Sequence, residues 1–217
     1  MKTGDALQNI FMIFVRLHKL TISRHVHPAP ASVVPGRSSL SIMTRIKKTP
    51  ADSALSMTEL VLPNDTNTMN NLMGGRLMHW MDVVSAIVAQ RHANRLVVTA
   101  SVDNISFRHP IALGNVVTLR ARVTRAFRTS MEVRIDVEAE DAPSGKKFES
   151  NSAFFTFVAM DENGKPAEVP ELVPVTDEEK ELYDGALRRR QLRLVLAGKM
   201  KPGDASELKS IFKLPDA

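Results

Sequence analysis

Between Leu77 and Ala89 the chain reads Leu-Met-His-Trp-Met-Asp-Val-Val-Ser-Ala-Ile-Val-Ala, where His79, Asp82 and Ser85 are the only polar side chains apart from the indole of Trp80. The stretch lies inside a run without Gly or Pro, Arg76 to Ala93, which predicts a helix of about four to five turns. A helix apolar on nearly all sides has to be buried, so the rest of the fold must wrap around it. At about 100° per residue, positions 79, 82 and 85 share an arc of roughly 120°. The helix therefore carries one narrow polar stripe with Asp82 at its centre.

After the helix the apolar period changes to two. Val117, Leu119, Ala121 and Val123 alternate with Thr118, Arg120, Arg122 and Thr124, and Val133, Ile135, Val137 and Ala139 alternate with Glu132, Arg134, Asp136, Glu138 and Glu140. Such segments are antiparallel strands with one wet face. Further strands are expected over 54–62, 97–107 and 154–160, separated by turn-forming residues at 63–65, 110–114, 127–130 and 141–146. The order is strand, one long helix, then four strands in antiparallel meander style. That order predicts an α+β fold, a curved antiparallel sheet wrapped around one long buried helix. Residues 163–175, with Pro166, Pro170 and Pro174, read as a linker. Thr176 and Glu179 then stand at capping-box spacing, and a surface helix is expected to Leu196 with Gly198 as its stop signal. Its inner face would be Leu182, Ala186, Leu187 and Leu194, with Arg188 to Arg190 outside.

Charge and sulfur narrow the chemistry. The formal charge of +5 resides in residues 1–50, where eight Lys or Arg face one acid, while the remaining residues are slightly acidic. The compact part, 52–162, thus lacks the broad positive field that captures phosphate backbones, and no nucleic-acid partner is expected. The apolar run Ile10 to Val15 is far shorter than the roughly 20 residues a membrane span needs, and most of the nearby basic residues follow it, unlike a secretory signal. Residues 1–50 read as a basic, disordered extension, with an organellar import signal or a true start at Met43 as alternatives, and the location expected is cytoplasmic. Cysteine is absent, which rules out disulfides, Cys-ligated zinc, iron-sulfur centres and thiol nucleophiles. No HExxH is present, and His79 with Asp82 supplies only two ligands, so no metal is expected. Serine-hydrolase, P-loop and dinucleotide fingerprints are missing too.

Two features remain that carry chemistry. An acid in a buried helix must be paired, protonated or facing a cavity, so Asp82 is either a satisfied structural acid or part of a site; His79 reads more simply as a packing residue. Gly74 and Gly75 open the helix. They serve either close packing or the exposure of bare N–H groups able to hold a developing oxyanion.

At these residues the chain resembles the hotdog-fold acyl-CoA thioesterases, in the branch of the small bacterial and the cytosolic or brain acyl-CoA hydrolases. The resemblance is carried by Pro63-Asn-Asp-Thr-Asn-Thr-Met-Asn-Asn-Leu-Met-Gly-Gly-Arg-Leu-Met-His-Trp-Met-Asp82, Arg91-His-Ala-Asn, Val97-Val-Thr-Ala-Ser-Val-Asp-Asn-Ile-Ser-Phe, Pro110-Ile-Ala-Leu-Gly-Asn-Val-Val and Arg128-Thr-Ser-Met-Glu-Val. It extends over about 57–160. It implies hydrolysis of a fatty acyl-CoA to CoA and a carboxylic acid, with CoA as part of the substrate and no separate cofactor. It also implies a homodimer with shared active sites, assembled into a trimer of dimers. Asp82 then matches the catalytic carboxylate, Asn67 or Asn71 the polar loop residue near it, and Gly75 N–H the group that polarises the carbonyl. Gly74 and Thr99 would contact substrate, and Arg108, Arg125, Arg128, Thr129 and Ser130 the CoA end. Met73 stands where many relatives have a His before the glycines, which argues against a His-based mechanism. Two other readings compete: a hotdog dehydratase or hydratase, for which the loop offers Asn67, Asn70 and Asn71 in place of a His, and a non-catalytic acyl-CoA sensor, for which no DNA-binding pattern is seen.

Overall fold

The computed structural model describes residues 45–103, 105 and 109–208. The readings made for residues 1–44 and for Arg108 fall outside them. Seven strands and two long helices are described: β1 (Lys47–Lys48), β2 (Leu55–Leu60), α1 (Gly74–Ala93), β3 (Leu96–Val102), β4 (Val116–Ala126), β5 (Ser130–Asp141), β6 (Lys146–Met160), β7 (Glu171–Leu172) and α2 (Asp177–Leu196).

The main sheet has the order β2-β4-β5-β6-β3 with every neighbour antiparallel. Strands β4, β5 and β6 form the expected meander, but β3 does not join it at β4. It crosses to the far edge and pairs with β6, because the strand that follows the helix emerges on the side where α1 has delivered the chain. The inward residues of the alternating strands, among them Leu119, Met131, Ile135, Phe155 and Phe157, are buried and pack on Leu77, Met81, Val84 and Val88 of α1. The sheet therefore curls around the helix. Asn94 ends α1 in the left-handed conformation, at φ 51°, which Asn tolerates better than most residues.

The helix is not buried on all sides, as its composition implied. Gly75, Met78, His79, Val83 and Ile87 are exposed along one face, and of the polar stripe only Ser85 is fully buried, donating to Met81 O. Packing within the described residues does not account for the apolar side chains on that open face. Strand β3 borders it, paired among the described residues with β6 alone, with Leu96 and Val102 also exposed.

The terminal parts of the fold differ from the sequence reading in three ways. Residues 45–48, assigned to the extension, are tied in: β1 runs parallel to β7, and Lys48 Nζ donates to the carbonyls of Arg91 (2.6 Å) and His92 (3.0 Å) at the end of α1, where the helix dipole favours a cation. Residues 163–175 likewise hold β7 and the buried Val169 and Leu172. Thr176 and Glu179 do make the capping box of α2. Its arginines are not all outside, however: Arg189 bonds both oxygens of Glu132 at 2.7–3.2 Å, and Glu132, expected on the wet face, is fully buried beneath the helix. Thr124 donates to the same carboxylate at 2.7 Å, and Arg193 joins it to Asp103 at the end of β3.

His92 is wholly enclosed between α1 and the segment before β7, with Nε2 at 3.1 Å from Pro170 O and Nδ1 without a partner among the described residues. If Nε2–H donates to that carbonyl, a second proton would have to sit on the unpartnered Nδ1. Burial holds the imidazole pKa below its ordinary value, opposed by the Pro170 contact and reinforced by Lys48. The unfolded chain therefore takes up a proton near pH 6.5 that the folded chain refuses until lower pH. Stability is full above about pH 6.5 and falls as the pH drops below it. Thermal midpoints measured from pH 7.5 to 5 are expected to show this slope in the intact chain and to lose that component in His92→Gln.

Candidate active site

The site begins with two segments that are distant in sequence. Pro63–Asp65 form a short 3-10 turn whose Asp65 side chain accepts from Leu62 N (3.1 Å) and from Arg76 Nε (2.7 Å), while its carbonyl accepts from Met73 N (2.9 Å). This buried acid fixes the entry of α1. The turn at 63–65 is where the sequence expects one, while the burial of Asp65 and its bond from Arg76 are legible only in the fold. The loop folds back on itself: Asn67 Oδ1 accepts from Met69 N (2.9 Å) and Asn71 N (3.2 Å), and Asn70 takes a positive φ of 56°. Leu72 N bonds Ile111 O and Leu113 N bonds Asn70 O, so the Asn-rich loop is braced by the Pro110-to-Gly114 segment.

Met73 is the N-cap of α1 and makes no side-chain cap. The N–H groups of Gly74 and Gly75 have no acceptor among the described residues. Gly75 is exposed, and the space beside its Cα is open. The helix thus presents bare donors and the positive end of its dipole to solvent.

Two turns further on, Asp82 is half-buried on the same helix face, and Thr99 Oγ1 donates to its Oδ1 at 2.8 Å. Its Oδ2 has no partner among the described residues. Thr99, placed by sequence among substrate contacts, here orients the carboxylate. It can do so because it pairs with the fully buried Phe157, and hence faces α1, just before an irregularity in the β3–β6 register between Thr99 and Ser101. Ser130 pairs with Val158, which pairs with Val98. By the pleat, Ser130 therefore stands two strands away from Val98 and on the opposite face from Thr99. The structure brings Thr99 to Asp82 within one chain and does not bring Arg128, Thr129 or Ser130 there.

Seven residues separate Gly75 from Asp82, which is about 10 Å along the helix and about 20° in rotation. A donor and a carboxylate acting on one carbonyl group must each come within about 3 Å of the reacting atoms. These two groups of one chain cannot do so together. Among the described residues no cluster of three or more His, Asp or Glu could hold a metal ion, and no helix is long and apolar enough to cross a membrane.

Residues 69–146 match the family model described as the Thioesterase superfamily. The chain is 42% identical over 142 residues to the uncharacterized acyl-CoA thioester hydrolase YkhA of Bacillus subtilis, covering 65% of this chain and 83% of that one. The chain belongs to the hotdog-fold acyl-CoA thioesterase family. It is 43% identical to mouse acyl-coenzyme A thioesterase 11 over 68% of its own length but spans only 25% of that relative. Among solved thioesterases, a hexameric acyl-CoA thioesterase without ligand superposes with a TM-score of 0.68 at 38% identity, covering 70% of this chain and 97% of that one. The Staphylococcus aureus acyl-CoA hydrolase, solved with butyryl-CoA, CoA and CoA disulfide, gives 0.65 at 36% identity over 70% and 95% of the two chains. That hydrolase was also solved as three separate alanine variants, of an aspartate, of an asparagine fifteen residues before it and of a threonine seventeen residues after it. The curled antiparallel sheet around α1 is thus the hotdog of this family.

Proposed function

We propose that the chain hydrolyses the thioester of fatty acyl-CoA at sites shared between two copies, with Asp82 of one copy facing Gly75 N–H and the Asn67 loop of the other. The observation that carries this reading is Asp82 itself: one oxygen is held by Thr99 and the other is open, on an exposed helix face whose N-terminal donors are bare. Asn67, Asp82 and Thr99 also stand at the same two spacings, fifteen and seventeen residues, as the three altered positions of the Staphylococcus aureus hydrolase.

The chemistry follows from the donors. A thioester oxygen lying on Gly75 N–H meets a dipole that binds it more tightly as it gains negative charge. Oδ2 of Asp82 either takes a proton from an attacking water or attacks the carbonyl carbon to give a mixed anhydride that water then opens. In both routes the C–S bond breaks, the thiolate leaves with a proton as CoA, and the acyl group departs as a carboxylate. CoA is the leaving half of the substrate.

The second copy is supported by the 10 Å gap between the two groups in one chain and by the open apolar face beside the β3 edge. An unpaired, partly apolar edge strand is suited to continuing the sheet into a symmetry mate. Assembly of three such dimers is the arrangement we adopt for the whole particle. The nucleotide end of CoA lies a pantetheine arm away from the thioester, so Arg128, Thr129 and Ser130 can hold it without standing beside Asp82, and Gly74 N–H lies next to the carbonyl donor.

The test is CoA release from short-, medium- and long-chain acyl-CoA, read with a thiol reagent that meets no cysteine in this chain. Asp82→Asn and Asn67→Ala are then unfolded and refolded together. With a shared site, half of the dimers are mixed and each mixed dimer holds one intact site, which restores about a quarter of full activity. No recovery in mixed dimers overturns the shared site, and no CoA release by the intact chain overturns the hydrolase.

A further inference from the structure

Thr99 and Asp103 stand four residues apart in sequence, yet they face opposite sides of the sheet. Side chains alternate along a strand, so residues separated by four share a face wherever the pairing is regular. In β3 it is not regular. Thr99 pairs with Phe157 and Ser101 with the next residue of β6, Thr156, so Ala100 is one residue too many, a bulge of the kind that re-aims a side chain. Before the bulge, Thr99 turns inward and donates to Asp82 Oδ1. Beyond it, Asp103 turns outward, its N–H donating to Phe154 O at 2.9 Å and its Oδ2 accepting from Arg193 Nη1 of α2 at 2.7 Å.

The grip of α2 on Asp103 belongs to a wider contact. Arg193 Nη1 also lies 3.7 Å from Oε2 of the fully buried Glu132, which Arg189 binds through both oxygens. The Arg189 guanidinium covers the ring of Phe154 at 3.9 Å, and Phe154 is the residue whose carbonyl holds Asp103 N. Gly185 makes room for it: a Cβ there would stand 2.8 Å from Arg189 Nη1.

Strand β3 is at the edge of the sheet and pairs among the described residues with β6 alone. A slip of one residue in such a pairing turns the side chains to the other face. Losing or moving the extra residue therefore turns either Thr99 away from Asp82 or Asp103 away from Arg193. The two contacts, one on each side of Ala100, hold the bulge in its place.

We propose that Arg193 is a positioning residue for the reaction: by holding Asp103 on the outer face it pins the bulge at Ala100 and keeps Thr99 turned to Asp82. The catalytic half of this proposal rests on the hydrolase reading above, and the pinning of β3 does not. The C-terminal helix, which follows the matched family region, thereby acts on the candidate acid from the opposite face of the sheet without touching substrate.

The full chain is compared with Arg193→Met, Arg193→Lys, Thr99→Val and the double variant Arg193→Met with Thr99→Val. Hydrogen exchange over residues 96–103, followed by mass spectrometry, is expected to quicken about tenfold in Arg193→Met and by less in Arg193→Lys, which keeps a donor for Asp103. Because a misplaced reacting group slows the chemical step, kcat for acyl-CoA is expected to fall about tenfold in Arg193→Met with KM within about twofold. In the Thr99→Val background the same change is expected to lower kcat by less than about twofold, since the contact through which Arg193 acts is already gone. A purely structural role for Arg193 gives equal losses in the two backgrounds. Unchanged kcat in Arg193→Met, or equal losses, overturns the positioning role, and unchanged exchange overturns the pinning. Absent CoA release by the intact chain is a failure of the hydrolase reading; the positioning role falls with it, and exchange alone then decides the pinning. Should Arg193→Met not fold, Asp103→Ala carries the same comparisons.

Discussion

Asp82→Asn is expected to lower acyl-CoA turnover by about 10²–10⁴-fold, the range removed with a positioned acid or base, while leaving the thermal midpoint close to that of the intact chain. The two halves of this expectation have separate origins. The amide keeps the size of the carboxylate and an oxygen to accept from Thr99 Oγ1, the contact seen at 2.8 Å, and the position is only half-buried on a solvent-facing side of α1. The folded chain therefore loses little. The amide cannot take a proton from water at neutral pH or attack a thioester, so either chemical route stops. Steady-state release of CoA, with circular dichroism melts on the same samples, gives both readings. Turnover within a few-fold of the intact chain would remove Asp82 from the chemistry.

Arg189→Met is expected to be the most destabilising single change on the outer face, by about 3–5 kcal/mol, because it strands a buried carboxylate. Glu132 is fully buried and receives Arg189 through both of its oxygens; Thr124 at 2.7 Å and Arg193 at 3.7 Å remain but do not neutralise it as closely. Urea unfolding of the variant measures the loss. The companion variant, Arg189→Met with Glu132→Leu, removes the stranded charge as well as its partner. Since buried ion pairs are often replaceable by apolar residues at little net cost, the double change is expected to recover most of the stability. Recovery of that kind would show that the pair fixes where α2 docks more than it stabilises the fold.

Most of the architecture could be read from local sequence. The Gly- and Pro-free, largely apolar run of α1 from Arg76 and the alternation in β4 and β5 are local signals, and the structure places those elements within a few residues of the expected limits. The position of β3 could not be read that way, since strand order depends on where the helix returns the chain. Glu132 was misjudged for a related reason. Alternation assigns it to the outer face, correctly, but says nothing about a helix that arrives from 45 residues later to cover that face. The open side of α1 misled in the opposite direction: its apolar residues imply burial, and a single chain does not provide it. At the site, Asp82 and the two glycines stood out in the pattern, because an acid is costly on an apolar helix and paired glycines are unusual at its start. The hydrogen bond from Thr99 had no sequence signal apart from the family resemblance. It arises across seventeen residues, from a strand register that only the folded sheet defines.

The face of α1 left open in one chain has a chemical consequence. Met69, Met73 and Met78 are all exposed around the helix start and the loop before it, and the eleven methionines are the only sulfur in a chain without cysteine. Thioethers on an apolar surface become polar sulfoxides when oxidised, which would spoil the surface for a symmetry mate. In the dimer proposed above this face is covered, so peroxide is expected to oxidise Met69, Met73 and Met78 more slowly in the assembled particle than in a separated chain.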